Sequence, residues 1–354
     1  MANITNRCVG ALIAAALCIF SLTVSAKDDY RIAWSIYVGW MPWGYAQESG
    51  IVDKWARKYG ITIEVVQFND YIESINQYTA GAFDGCTMTN MDALTIPAAG
   101  GVDSTALIVG DFSNGNDGIV LKGTGKTLAD IRGQNVNLVE LSVSHYLLAR
   151  ALASADMTER DLTVVNTSDA DIVAAFSTDD VTSVVTWNPL LAEITGMPDV
   201  SPVFDSSMIP GEIIDMLVVS TEAAEDERLG KALVGAWYET LAAMSAEGPE
   251  ADAAKTHMAV ASGTDLAGYN AQLAATQMFY TAEPAVEFVG SAALRETMAN
   301  VAAFSFEHGL LGEGAPDAGF IGVELPGGEV LGSKANVKLR FSDRYMKLAA
   351  DGET

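Results

Sequence analysis

The sequence predicts an α/β fold built as two successive units, and three observations carry the prediction. Strand and helix patterns alternate with short connections across residues 31–110, as parallel α/β layers require. The alternation restarts after Asn114-Gly115-Asn116 and runs to residue 220, beyond which the pattern turns mostly helical. The chain has 354 residues, too many for one ordinary core and comfortable for two domains.

The first residues read as an export signal. Arg7 is the only charge before Lys27, the stretch between them is apolar, and Val24-Ser25-Ala26 ends it with small side chains. A basic start, a short apolar core and a small-residue cleavage site describe a secretory signal peptide. The core of about 17 residues falls short of the ~20 that span a bilayer. Leu17 before Cys18 fits a lipid-anchoring site poorly. Cleavage after Ala26 is therefore expected, and the mature chain is residues 27–354. It keeps Cys86 as its only cysteine, which excludes an intramolecular disulfide framework.

The elements follow in order. Residues 31–35 read as the first strand, followed by an aromatic stretch, 37–43, with Pro42 near its end. Residues 46–59 have helical spacing, and Gly60 ends them as a C-cap. Residues 61–67 begin with strand alternation. Asp70 and Glu73 form a capping pair that opens a helix reaching Gly81. A strand at 85–88, a loop at 89–92 and a strand at 105–110 complete the first unit. In the second unit, strands are expected at 119–121, 136–139, 162–166 and 181–186, with helices at 128–131, 144–155 and 170–176. A largely apolar strand at 214–220 precedes helices at 223–246 and 266–277. The balance of 46 acidic against 20 basic residues, net −26, repels nucleic acid and anionic membranes. It fits a highly soluble surface and names no ligand.

Four motifs occur in order. They are residues 31–35 with Pro42 and Gly50-Ile51-Val52; the Gly81-Ala82-Phe83-Asp84 step; Thr127-Leu128-Ala129-Asp130-Ile131-Arg132-Gly133-Gln134; and the strand ending Thr186-Trp187-Asn188-Pro189. Together they resemble the periplasmic binding proteins of the nitrate, sulfonate and taurine importers, in the type II solute-binding fold. The resemblance implies two lobes, 27–110 with 218–354 and 111–217. Each would be a mostly parallel sheet flanked by helices. Two crossover strands near 108–113 and 211–217 would join them, and the lobes would close on ligand. It also implies a monomeric periplasmic protein, not an enzyme and without cofactor or metal, that serves an ABC permease and ATPase. Thr87-Met88-Thr89-Asn90-Met91-Asp92-Ala93-Leu94 and the ending Asn336-Val337-Lys338-Leu339-Arg340-Phe341 are similar to a narrower branch. Its genes lie beside urea carboxylase, an enzyme group associated with guanidine. The same fold includes thiamine-pyrimidine synthases, but those have a cysteine-rich segment and are cytoplasmic. A role in presenting ligand to a sensor stays open.

Ligands of open α/β lobes meet the carboxyl ends of strands and the helix starts after them. That rule selects residues 34–43, 68–71, 89–92, 140–145 and 187–188, with 111–114 and Asp215 near the crossovers. The candidate binding residues are Trp34, Tyr37, Trp40, Asp70, Asn90, Asp92, Glu140, Ser142, Trp187, Asn188 and Asp215. Indole faces attract cations and stack on flat solutes. Each also has a structural alternative: Trp34 as core, Asp70 as an N-cap, Asp92 as a first-turn acid. Glu140 stands where a bare helix start would otherwise hold an oxyanion, so it points to a cation or an N–H donor. No lysine or arginine lies in the five segments. The expected ligand is thus a small planar nitrogen compound, guanidinium before urea, with taurine, an aliphatic sulfonate or nitrate as the alternative. His145, His257 and His308 are far apart and lack metal-ligand spacing. No nucleophile elbow, P-loop or dinucleotide fingerprint occurs. An intact-mass measurement on exported protein is expected to give Lys27 as the first residue; a chain retaining residues 1–26 would contradict the signal-peptide assignment.

Overall fold

The structure is a computed structural model that describes residues 27–354; the expected signal peptide lies outside them. Its strands, in chain order, are β1 (Asp29–Ser35), β2 (Thr62–Phe68), β3 (Gly85–Thr89), β4 (Ser104–Ser113), β5 (Asp117–Lys122), β6 (Asn135–Leu138), β7 (Thr163–Asn166), β8 (Ser183–Trp187), β9 (Val200–Asp205), β10 (Ile214–Ser220), β11 (Thr276–Met278), β12 (Gly322–Leu325), β13 (Glu329–Leu331) and β14 (Val337–Phe341). Among the described residues they form two sheets. The larger runs β13-β12-β14-β4-β10-β3-β1-β2, with β11 also on β4; the smaller runs β7-β6-β8-β5-β9. The chain leaves the large sheet after β4 and returns to it with β10.

Burial explains the strand sequences. β10 reads Ile-Asp-Met-Leu-Val-Val-Ser and is buried along nearly its whole length, as a central strand covered on both faces must be. In β5 the period-two alternation sends neighbours to opposite faces. Ile119 and Leu121 join the main apolar core, whereas Val120 joins a smaller cluster with Ile172, Phe176, Val184, Leu191 and Ile194. The helix Glu227–Ser245 seals the large sheet. Its Trp237 stacks on Trp43 at 5.1 Å and lies over Gly110, where a Cβ would come within 2.8 Å of the indole.

The structure corrects several expectations. The sheets are mixed rather than mostly parallel, because β10 runs against both β3 and β4, and β5 against both β8 and β9. The helix expected over 46–59 is two helices, Met41–Glu48 and Ile51–Lys58. Gly50 separates them at φ 78°, a left-handed value glycine accepts freely. The expected loop at 89–92 is instead a helical turn, Asn90–Ala93, continued by a wider turn through Leu94–Ala98. Thr89 starts it by accepting the Asp92 N–H, the capping role its hydroxyl suits. The C-terminal part is not only helical. β11 follows directly on the helix Leu266–Ala274, and β14 inserts beside β4 in the middle of the large sheet. Short polar-flanked strands such as Val337–Phe341 alternate too weakly for periodicity to reveal them.

One close approach yields a test of this packing. A Cβ on Gly230 would sit 2.2 Å from the Tyr345 ring, and that ring is buried with its hydroxyl donating to the Ala224 carbonyl at 2.8 Å. Gly230→Ala is expected to lower stability by about 1–3 kcal/mol in chemical denaturation, the scale of overpacking. An unchanged midpoint would mean that the C-terminal helix moves freely.

Candidate functional site

The site begins with a backbone register. In the antiparallel ladder of β4 and β10, Asp111 is the partner of Asp215. Both are buried, at 0% and 2% exposure. The Tyr37 hydroxyl donates to Asp111 Oδ1 at 3.3 Å. Gly39 makes room for this carboxyl, since a Cβ there would stand 2.5 Å from Asp111 Oδ2. The Oδ2 atoms of Asp111 and Asp215 have no donor to accept from among the described residues. A third acid, Asp117, opens β5 at 3% exposure. Its N–H is held by Ser113 Oγ at 3.2 Å, and that hydroxyl is paired with Ser206 Oγ at 2.7 Å.

Burying a carboxylate favours its neutral form. Burial pushes Asp111 and Asp117 up to about 7. It pushes Asp215 well above the carboxylate range, helped by the charges of Asp111 and Asp117.

Aromatic rings wall the space these acids face. Trp40 precedes the helix Met41–Glu48, Tyr71 opens the helix Tyr71–Thr79, and Trp187 ends β8. Trp40 lies 5.0 Å from the Tyr37 ring and 5.4 Å from Tyr71, and Tyr71 lies 5.6 Å from Trp187. Thr89, Val143 and Ile213 close the cavity, and Asp117 and Asp215 face into it. None of its lining residues is basic. The cavity is small, with about 10 Å³ of free room. That is roughly the room one water needs, so a larger solute enters only if the lining gives way. The Trp40 indole N–H is buried without a partner. The arrangement can hold a small solute with N–H groups and flat apolar faces.

Of the residues selected from sequence, Tyr37, Trp40, Trp187 and Asp215 line the cavity. Asp92 stands one layer behind. Its Oδ2 accepts from the hydroxyls of Tyr71 at 2.7 Å and Thr89 at 2.8 Å, and burial pushes it up to about 6. Asn188 is also one layer out, its Nδ2 donating to Asn116 Oδ1 at 2.7 Å. The others are structural. Trp34 packs in the core beneath Gly44, where a Cβ would meet its ring at 2.5 Å. Asn90 uses its amide on the backbone of Glu212 and Ile214, at 3.1 Å each. Asp70 and Ser142 are N-caps, accepting from the N–H groups of Glu73 and Ser144. Glu140 is exposed and lines no part of the cavity. The helix begins at Val143 with Ser142 as its cap, and Leu141 takes a φ of 63°, which leaves Glu140 in solvent. The acids that do face the cavity are Asp117 and Asp215. Sequence reasoning overlooked Asp117, and it reached Tyr71 only as the end of the selected segment 68–71; the usable signal for the acid was an aspartate at the mouth of an apolar strand beside a crossover.

The histidines also part from expectation. His145 and His308 meet at Glu159, whose Oε1 lies 3.1 Å and 2.7 Å from their Nε2 atoms. The three side chains are close enough to suggest a metal site, but their hydrogen bonds do not fit one. His145 Nδ1 accepts the Leu141 N–H at 3.1 Å, so the neutral ring carries its proton on Nε2 and has no lone pair there for a metal. His308 has oxygen on both sides, with Phe304 O 2.9 Å from Nδ1. An imidazolium satisfies both contacts. The close contact with His145, ahead of the hydrogen bond with His308, holds Glu159 down at about 2.

A family model described as NMT1/THI5 like matches residues 45–251. Among solved structures, the aliphatic sulphonate-binding protein of Escherichia coli superposes with a TM-score of 0.66 at 18% identity, covering 81% of this chain and 95% of that one. The alkanesulfonate-binding protein of Xanthomonas axonopodis, bound to MOPS, gives 0.65 at 18% identity over 82% and 96%. The nitrate-binding protein of Synechocystis gives 0.61 at 12% identity over 92% and 89%. These likenesses show the fold, that of the type II periplasmic binding proteins. A Brucella abortus protein whose name gives it a provisional binding role is 26% identical over 149 residues. That match covers 42% of this chain and 44% of the relative, less than half of either.

The buried acids set a pH dependence for the empty protein. Their folded pKa values lie above the ~3.9 of an unfolded aspartate. The stability they permit is full below about 4 and is lost as pH rises through about 7. Melting temperature is therefore expected to fall between pH 5.5 and 8.5. Asp215→Asn is expected to flatten that slope and to be the more stable protein at pH 8, by about 1–3 kcal/mol. Parallel curves for the two proteins would clear Asp215 of the effect.

Proposed function

The chain belongs to the NMT1/THI5-like family, and on that premise we propose that it is the periplasmic solute-binding component of an ABC importer and takes guanidinium between its two sheets. The observation that carries this reading is a cavity with two buried carboxyl groups in its lining, Asp117 and Asp215, aromatic rings around it and no base among its lining residues; Asp111 stands outside the lining, paired with Asp215 across the ladder. Guanidinium matches each part. Its N–H edges suit carboxylates and its faces suit indole and phenol rings. Urea has the same shape without the charge and ranks second. A sulfonate or nitrate, as in the names of the solved relatives, would meet carboxyl groups and no counter-charge in this cavity. The unpartnered Trp40 indole N–H would suit an oxygen acceptor, but no basic residue in the lining would balance an anion's charge.

Binding rather than catalysis is the chemistry proposed. Cys86, the only cysteine among the described residues, is fully buried, and burial pushes its thiol up to about 12. Such a thiol is inert as a nucleophile. The links that leave β4 and enter β10 are the natural hinges, and the two sheet units would close on ligand about them. The proposed partners are the permease and ATPase of the importer, reached by a monomer.

Calorimetry with guanidinium, urea, taurine and nitrate tests the reading. Guanidinium is expected to bind most tightly. Asp117→Asn is expected to weaken it by about 1.5–3 kcal/mol, the scale of a charge-assisted hydrogen bond, and to affect urea less. Glu140→Gln is expected to change guanidinium affinity by less than about threefold, since an exposed carboxylate is screened by solvent. Tight binding of taurine or nitrate with no response to guanidinium would overturn the assignment.

A further inference from the structure

We propose that the ligand cation exchanges for a proton held between Asp111 and Asp215, so that binding releases a proton and pH sets the preference for a cation over its neutral isostere. This rests on the cation-binding reading above and adds a mechanism to it.

The geometry supplies the reasons. Asp111 and Asp215 are partners across the β4–β10 ladder, both out of contact with water. The groups around them are acids and phenols. Asp117 lies on β5, Tyr37 on the turn before the first helix, and Tyr269 and Tyr280 near Asp111. Among the described residues, no lysine, arginine or histidine forms an ion pair with either carboxyl. Two neighbouring carboxyl groups in such a place do not both ionise, so the empty site retains a proton. Tyr37 supplies only one hydrogen bond, to Asp111 Oδ1. Apart from the proton the two acids share, their Oδ2 atoms have no donor among the described residues. A cation with several N–H groups in the cavity provides donors for Asp215, which lines it, and takes the place of the proton that Asp215 shares with Asp111. Its positive charge replaces that of the proton, which passes to the solvent. One charge enters and one leaves, so the buried site keeps the same net charge, and no further charge is taken from water. The high position of both acids on the pH scale agrees with the retained proton.

A neutral isostere behaves differently. Urea leaves the proton in place, and its carbonyl oxygen accepts from the protonated carboxyl. The two ligands should therefore respond to pH in opposite senses. Guanidinium affinity rises as the acids lose their protons, by about tenfold per pH unit for one proton released. Urea affinity stays level or falls.

Titration calorimetry on residues 27–354 at pH 6, in two buffers of different ionisation enthalpy, reads the exchange directly. With guanidinium chloride as the probe, about one proton or more should be released per ligand, and the Kd should tighten about tenfold between pH 6 and 7. Urea should release none. In Asp215→Asn, Asp111 no longer has a carboxyl partner to share a proton with, and release should fall well below that of the wild-type protein. Guanidinium binding with no buffer-dependent heat would overturn the exchange and leave the binding assignment standing. Undiminished release in a folded Asp215→Asn would overturn the role of the pair. Failure of guanidinium to bind at any pH would overturn the binding assignment itself.

Discussion

The pairing of β4 with β10 is the constraint on which the site depends. These are the strands by which the chain leaves and re-enters the large sheet, and they lie side by side. Their ladder fixes Asp111 opposite Asp215 through backbone hydrogen bonds, so no side-chain rearrangement can separate the two acids far. Like charges directly opposite each other weaken a sheet. The rest of the molecule tolerates the pair because β10 is otherwise apolar and buried, with β3 on its far side. A stable framework thus holds an unfavourable pair, as functional sites commonly require.

Tyr71 ties the aromatic wall to this framework. Its ring stands between Trp40 and Trp187. Its hydroxyl donates to Asp92 and accepts the Thr89 N–H at 3.0 Å. Its own N–H donates at 3.3 Å to Asp169, which begins a helix of the smaller sheet unit. One residue therefore shapes the cavity and bridges the two units. Asp169 is itself raised to about 6, by burial first and by the charge of Asp70 second. The bridge between units and the base of the cavity thus both contain acids that change charge in the same range of pH.

The sequence was most informative where periodicity and burial coincide. β10 falls on the expected residues 214–220, and the first unit's strands lie within a few residues of expectation. The large-sheet strands of the C-terminal region escaped notice because they are short and take their stability from distant partners, a contribution local pattern does not contain. At the site, the aromatic clustering from Tyr37 to Trp40 was legible, as was an acid inside an apolar strand at Asp215. Glu140 misled because its position before a helix looked decisive, whereas the actual cap is two residues further on. Asp117 was overlooked because its significance comes from the strand pairing that brings it toward Asp215. His145 and His308 meet only through tertiary structure, across 163 residues of sequence.

The place of β14 has a consequence for how the chain is made. It pairs in parallel with β4, Leu339 with Ser104 and Phe341 with Ala106, so a central strand waits for a partner synthesised some 235 residues later. Until then the start of β4, Ser104-Thr105-Ala106, offers an unpaired edge to any other nascent chain. Contacts so distant form late and slowly. The large sheet is therefore completed only after nearly the whole polypeptide is available, and the interval before that is when the chain most needs a chaperone.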